Sequence, residues 1–310
     1  MPSENRSDIL IFGAGPAGLS ASIWLARFLY DVVVIDSGDP RNWKTQEIHG
    51  FLGAERARPR EIRHLGRQAC RRYGVTLVDH HATTVERIDA DDFRVRTDQA
   101  EIFRAPRVLI ATGIQDNWPQ IPGLEECYGT TVHTCPNCDG LESRGTPTAV
   151  IGSRKNAAIV ALALKTWTDQ ILICTNGQTP RIDEPTEQAL ERMEIEINDS
   201  PIAFLDGRDR LLRAIRFENG EVAVCEHLFI AMGQHARDND VSIQLGCKHD
   251  EIGRVMVDSF HRTSVENVFA AGDITPGAQL AIRAAAGGAE AALSIHHSLI
   301  PEERRVHRRC

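Results

Sequence analysis

Two cysteines stand two residues apart in the run Cys135-Pro136-Asn137-Cys138-Asp139-Gly140, and no other part of the chain offers as much chemistry. A Cys-x-x-Cys pair supports three readings. One sulfur can attack a partner while the other resolves the mixed disulfide, a redox centre whose rate depends on its thiolate fraction. The pair can instead be half of a tetrahedral zinc site, with Cys127 and His133 as further ligands, or two unreactive buried thiols. A second close pair is missing, because Cys70, Cys127, Cys174, Cys225, Cys247 and Cys310 are scattered, and this weighs toward redox chemistry without a metal. Asp139 adjoins the second sulfur. It can carry the proton that thiolate formation releases, or cap the segment that follows. His133, two residues before Cys135, is a further acid/base candidate.

A second chemical signal lies near the start of the chain. Gly13-Ala14-Gly15-Pro16-Ala17-Gly18 follows an apolar run and opens a stretch of helical spacing, with Asp36 18 positions beyond Gly18. That is the spacing of a dinucleotide-binding turn. Gly13 permits the tight turn, Gly15 lets the backbone approach a pyrophosphate, and Gly18 allows close packing. The helix N-terminus supplies N–H groups and a positive dipole end. Asp36, followed by Ser37, is placed to accept hydrogen bonds from an adenosine ribose. Gly272-Asp273, after a late apolar run, offers a carboxylate for a ribityl hydroxyl, which favours FAD over NAD as the dinucleotide.

The elements that must position these groups follow from periodicity. Asp8–Phe12, a helix over Pro16–Arg27 and the β-branched run Asp31–Ile35 form one βαβ unit. Residues 75 to 115 alternate as strands, including Phe93–Arg96 and Val108–Ala111. The proline-rich link 118–123 leads to the dithiol, and a second strand–turn–helix–strand unit runs from Thr148 to Cys174. An Ala-rich helix from Gln279 to His296 closes the fold. The reading is an α/β protein with two Rossmann-like dinucleotide-binding domains of three-layer ββα type. Residues 1–115 and 239–310 form an FAD-binding domain, interrupted by an inserted, NADPH-type domain at 116–238. The two units are a weak internal repeat of architecture.

With 310 residues and a formal net charge of −8, the chain has the make-up of an ordinary globular protein of about two domains. The acidic balance argues against a nucleic-acid partner, and the basic pairs Arg304-Arg305 and Arg308-Arg309 read as a solvated end. No apolar run is long enough to span a bilayer and no leader pattern is present, so the expected setting is the cytoplasm.

The order of these motifs, with Ala111-Thr112-Gly113 between the two signals and Ala270-Ala271-Gly272-Asp273 after them, resembles the low-molecular-weight thioredoxin reductases over nearly the whole chain. The resemblance implies a homodimeric FAD enzyme acting on thioredoxin or a small disulfide. Cys138 would face the flavin, Cys135 would attack substrate and Asp139 would carry the proton. It also implies FAD contacts from Gly13, Gly15, Pro16, Ala17, Asp36, Thr112, Gly113, Gly272, Asp273, Gln279, Leu280 and Ala281. Arg41, Asn42 and His49 would approach the flavin, in a segment that departs from the NADPH-dependent members.

The larger departure is in the inserted domain. Gly152-Ser153-Arg154-Lys155-Asn156-Ala157 keeps only the first glycine of the NADPH turn, and Thr175-Asn176-Gly177 stands where the family has a His-Arg-Arg cluster for the 2′-phosphate. Thr, Asn and Gly cannot pair a phosphate as a guanidinium does. Arg154 and Lys155 either bind phosphate in another geometry or are exposed charges at a helix start. The same losses resemble two offshoots of the family, reductases driven by ferredoxin or another non-pyridine donor and FAD-dependent dithiol oxidases that pass electrons to oxygen. The oxidases usually have His after the second Cys, so Asp139 favours the reductase direction. A flavin-binding redox sensor is the non-enzymatic alternative.

Overall fold

The computed structural model describes residues 4–235 and 240–304. The chain divides into two compact units, and the fold is mixed α/β with Rossmann-like parallel sheets. In chain order the framework is β1 (Ile9–Phe12), α1 (Pro16–Arg27), β2 (Val32–Ile35), α2 (Pro59–Arg72), β3 (Thr76–Val78), β4 (Arg107–Ile110), β5 (Val132–His133), α3 (Pro136–Asp139), β6 (Thr148–Ile151), α4 (Lys155–Leu164), β7 (Ile171–Cys174), β8 (Glu196–Asn198), β9 (His227–Ile230), β10 (Val268–Ala270) and α5 (Ala281–Leu299).

The first unit comprises residues up to Arg41, Pro59–Gln115 and the chain from His235. Its parallel sheet has the order β10-β4-β1-β2-β3. Every residue of β1 and β2 is buried, as expected of parallel strands covered on both faces. The period of two then sorts the side chains. Ile9, Ile11, Val32 and Val34 pack toward Leu19 and Leu25 of α1 and Ile295 of α5. Leu10, Phe12, Val33 and Ile35 pack on the opposite face with Val85, Phe93, Val95 and Phe103. Those partners belong to a four-stranded sheet containing Ala82–Asp89, Asp92–Thr97 and Ile102–Ala105.

The second unit comprises Asn42–Arg58 and Asp116–Gln234 and repeats the scheme. Its parallel sheet is ordered β5-β9-β6-β7-β8. Val150, Ile173 and Phe229 face Ala157, Ala158, Ala161 and Leu164 of α4. Ala149, Ile151, Leu228 and Ile230 face Leu205, Leu212, Ile215 and Phe217 of a three-stranded antiparallel sheet.

The closing helix starts two residues later than its composition suggests, at Ala281 with Leu280 as N-cap, and runs on to Leu299. Leu280 is extended (φ −118°, ψ 136°), so Gln279 and Leu280 lie in the approach to the helix. Arg305, Arg308, Arg309 and Cys310 lie outside the described residues.

Close backbone approach fixes several glycines of the first unit. A Cβ on Gly18 would collide with the Gly13 carbonyl, one on Gly13 with the Ala111 carbonyl, and one on Gly288 of α5 with the Ala17 carbonyl of α1. Gly15 is different, because a Cβ there would meet nothing within 4 Å. Gly288→Ala is therefore expected to destabilise the protein by about 1–3 kcal/mol through overpacking, whereas Gly15→Ala, with both proteins in ligand-free form, leaves the unfolding free energy within about 0.5 kcal/mol of wild type, as for a site free of steric conflict. Chemical denaturation of the two variants checks this, and equal losses would refute it.

Candidate active site

In the first unit, the carboxyl ends of the parallel strands bring the expected nucleotide-binding residues to one edge. The turn Gly13–Gly15 follows β1, Asp36 and Ser37 follow β2, Thr112 and Gly113 lie just beyond β4, and Gly272 and Asp273 just beyond β10. Open α/β sheets place ligands at this edge. Backbone bonds hold it together: Gly13 N–H donates to the Ile35 carbonyl, Ala111 N–H to Phe12 and Ala271 N–H to Ile110. Helix α1 begins with Pro16 at its first turn, has no side-chain cap and has no acidic residue there. Its N–H groups thus face the open space above Gly15. Asp36 accepts a hydrogen bond from Ala14 N–H at 2.9 Å, and its other oxygen pairs with Arg63 at 3.2 Å and Arg67 at 3.3 Å. Arg63 and Arg67 were not legible as site residues. They come from α2, about 30 residues after Asp36, and nothing in their spacing marks them. Arg41 bridges Asp273 at 3.4 Å and Gln279 at 2.8 Å, which ties the end of the β2 connection to the loop before α5.

In the second unit, Cys135 and Cys138 are joined as a disulfide with Cα atoms 5.3 Å apart. Pro136 supplies the first position of α3, where a missing N–H costs nothing, and Cys135 is the N-cap, its sulfur accepting from Cys138 N–H at 3.2 Å. Gly140 has no room for a side chain, since a Cβ would press on the Pro136 carbonyl and the Trp167 ring. Both sulfur-bearing residues are half-buried, so a partner can reach them. The bond between them removes the zinc reading, and Cys127 is packed in the core with Leu124 and Leu205. The capping role considered for Asp139 is also overturned: it is the last residue of α3, and Gly140 caps the short 3-10 turn that follows.

His133 is buried and Asp139 lies half-buried beside it, His133 Nδ1 being 3.6 Å from Asp139 Oδ2. Burial, reinforced by Glu142, pushes the Asp139 carboxyl up to about 7 against a smaller opposing effect of His49. Burial pulls His133 down to about 3, with further contributions from His227 and His49. Desolvation thus favours the neutral form of each group. His133 Nε2 meets His227 Nδ1 at 3.1 Å, and the two rings stack within 9°. The parallel register of β5 on β9 pairs Val132 with Leu228 and His133 with Phe229, which sets His133 close to His227. His227 was missed, because its only sequence signal is a polar residue opening an apolar strand.

His49 belongs to this unit. Its Nε2 lies 3.3 Å from Glu142 and its Nδ1 3.3 Å from Glu55. Together with Asp139 and His133 it lines a cavity of ≈ 230 Å³. Asn42 also falls in this unit, where its carbonyl accepts from Thr45 N–H.

The turn after β6 is tied up by the chain's own atoms. Arg181 N–H donates to the Ser153 carbonyl at 2.6 Å, and the Ser153 hydroxyl bonds Gln178 at 2.6 Å. Lys155 pairs with Asp183 at 2.6 Å, and this ammonium is the main reason the Asp183 carboxyl is held down at about 2. Arg154 is exposed just before α4.

Residues 7–288 match the pyridine nucleotide-disulphide oxidoreductase family. The thioredoxin reductase tcpT of Claviceps purpurea is 31% identical over 288 residues, covering 88% of each chain. The thioredoxin reductase of Helicobacter pylori is 28% identical over 93% of this chain and 97% of that one. The crystal structure of TrxB from Bacillus anthracis matches with a TM-score of 0.87 at 30% identity, over 96% of this chain and 100% of that one.

The raised Asp139 pKa carries a stability consequence. Its proton is bound more tightly folded than unfolded, so the contribution is complete below about pH 3.9 and is lost as pH rises through about 7. Asp139→Asn lacks this loss. The stability of the variant relative to wild type should therefore improve by on the order of 1 kcal/mol or more between pH 5 and pH 8.5. A difference that stays constant across paired thermal melts would show that the carboxyl is not kept neutral by burial.

Proposed function

Because the chain belongs to the pyridine nucleotide-disulphide oxidoreductase family and is a thioredoxin reductase-like oxidoreductase, we propose that it is an FAD enzyme that exchanges electrons between its flavin and a disulfide substrate through Cys135 and Cys138, without using NADPH. The substrate is thioredoxin or a small disulfide, the donor is ferredoxin or another non-pyridine reductant, and the enzyme works as a homodimer in the cytoplasm. Among the described residues no helix is long and apolar enough to cross a membrane.

The observation that carries the proposal is the contrast between the two glycine turns. In the first unit, the open space at Gly15, the uncapped start of α1 and the close-packed Gly13 and Gly18 fit a pyrophosphate lying against backbone N–H groups. Asp36 fits a ribose, with its carboxylate already oriented by Ala14 N–H and two guanidinium groups. Thr112, Gly113, Gly272, Asp273, Gln279, Leu280 and Ala281 would complete that site, with Ser37 and Arg41 beside it. When bound, FAD supplies a two-electron carrier that no side chain provides. In the second unit the corresponding turn is closed by Arg181 and Gln178, and Lys155 is committed to Asp183. This supports loss of pyridine-nucleotide binding there.

The residues around the dithiol divide the work. On reduction, the N–H of Cys138 favours negative charge on the Cys135 sulfur, which suits Cys135 for attack on a substrate disulfide. Cys138 is assigned to the exchange with the flavin. Asp139, poised near 7, can give or take a proton at neutral pH. His133, held neutral, lies beside that carboxyl on its buried side.

Anaerobic titration of the flavin spectrum tests the proposal, with NADPH, NADH, a dithiol and reduced ferredoxin added to separate samples. The expected result is one flavin per chain, reduced by the dithiol or ferredoxin and by neither nucleotide. Bleaching near one equivalent of NADPH would overturn the donor assignment. Gly15→Ala should fold yet purify without flavin. Cys138→Ser should retain flavin and lose dithiol-dependent bleaching by at least about 100-fold, as expected for removing an acting nucleophile; if it loses the flavin instead, the assigned role is wrong.

A further inference from the structure

The histidine that ends β5 has two partners: Asp139, next to Cys138 in the chain, and His227, half-buried at the start of β9. We propose that Asp139, His133 and His227 form a proton relay that reloads the carboxyl during disulfide exchange, with His227 as its solvent end. The inference rests on the proposed dithiol–disulfide chemistry and adds to it a route for the proton.

The geometry supports each link. His133 is 6% exposed and the Asp139 side chain 18% exposed, on the cavity side, so the histidine pair is the route from Asp139 to solvent on the side away from that cavity. Its Nε2 lies 3.1 Å from His227 Nδ1 and its Nδ1 3.6 Å from Asp139 Oδ2. The first is a hydrogen bond. The second is just beyond one, as resting acid–base contacts often are before substrate is bound. His227 is half-buried and follows the exposed Glu226. Phe229 packs on the His133 ring with centroids 5.0 Å apart, closing the apolar side. The other ionisable groups facing the relay are His49, Glu142 and Glu47, which line the cavity beside Asp139, and Glu226, which acts on His227.

An imidazole with two ring nitrogens can pass a proton without ever holding a net charge, by accepting on one nitrogen as it donates from the other. That suits a site where desolvation penalises imidazolium. The reaction begins with Cys135 as thiolate and Cys138 as thiol. Cys135 attacks one substrate sulfur, the substrate S–S bond breaks, and the leaving thiolate takes the proton of Asp139. Asp139 then draws a proton from His133 Nδ1 while His133 Nε2 receives one from His227 Nδ1, and His227 recovers a proton from water. Cys138 then loses its proton to water and displaces the second substrate thiolate, re-forming the Cys135–Cys138 bond, and the reloaded Asp139 protonates that thiolate. The enzyme dithiol has lost two electrons and the substrate disulfide has gained them. Both product protons pass through Asp139, which must be reloaded from solvent between the two steps.

The test uses the full-length protein, reduced with dithiothreitol and desalted anaerobically, and two probe disulfides. Bis(2-hydroxyethyl) disulfide releases a basic thiolate that must be protonated, whereas 5,5′-dithiobis(2-nitrobenzoate) releases one that is stable without a proton. His227→Gln and His133→Gln are expected to slow the first reaction by about 10-fold or more, the low end of general-acid effects, and to leave the second within about twofold of wild type. In an Asp139→Asn background, adding His227→Gln should produce no further slowing. Wild-type rates on both probes in both variants would overturn the relay and leave the dithiol reading intact. Equal slowing on both probes would also overturn it, by assigning the histidines a structural role. Failure of reduced wild-type protein with either disulfide would overturn the proposed function itself. His227→Gln changes only a half-buried side chain, so the test survives if His133→Gln does not fold.

Discussion

Short parallel strands with no polar face impose the constraint from which the rest of this structure follows. β1 and β2 are four residues long and buried throughout, so each sheet must be covered on both sides. Helices take one face and an antiparallel sheet the other in both units. Functional groups can then sit only where strands end. Gly13, Asp36, Thr112 and Gly272 are all found one or two residues past a buried strand, and their chemistry depends on backbone positions that the core has already fixed.

The same burial acts as an electrostatic instrument around the dithiol. Asp139 and His133 are close enough to form an ion pair, yet desolvation pushes their pKa values in opposite directions, to about 7 and about 3. At neutral pH the imidazole is therefore uncharged and the carboxyl is close to half-protonated. A charged pair in this place would be rigid and costly. A weakly charged one can exchange protons at small cost, as the proposed thiol–disulfide exchange would require.

What was legible in the sequence is what depends on local spacing. The glycine turn announces itself because Gly13, Gly15 and Gly18 must recur at fixed intervals for a strand to turn into a helix, and α1 runs from Pro16 to Arg27 as its periodicity indicates. Cys135 and Cys138 were legible for the same reason, being neighbours within one turn of α3. The groups that escaped notice are brought in by tertiary packing. His227 reaches His133 across 94 residues only through the register of β5 on β9, and Arg63 and Arg67 reach Asp36 from another helix. The side chain of His49 lies with Glu142 and Asp139 in the second unit, a placement that no local pattern encodes.

The loss of glycines in the second turn is weak information until the neighbouring loop is considered with it. A missing glycine removes space for a pyrophosphate but does not say what replaces it. Here the backbone of Arg181 bonds the Ser153 carbonyl, Gln178 takes the Ser153 hydroxyl, and Asp183 takes Lys155. A nucleotide entering this turn would have to break those contacts, and it would recover no bidentate phosphate partner from Thr175, Asn176 or Gly177. An interaction made within the chain needs no ligand to be worth keeping. The second unit thus keeps a Rossmann-like sheet that carries β5, β9 and the dithiol they support, while the residues of the turn before α4 bond within the chain.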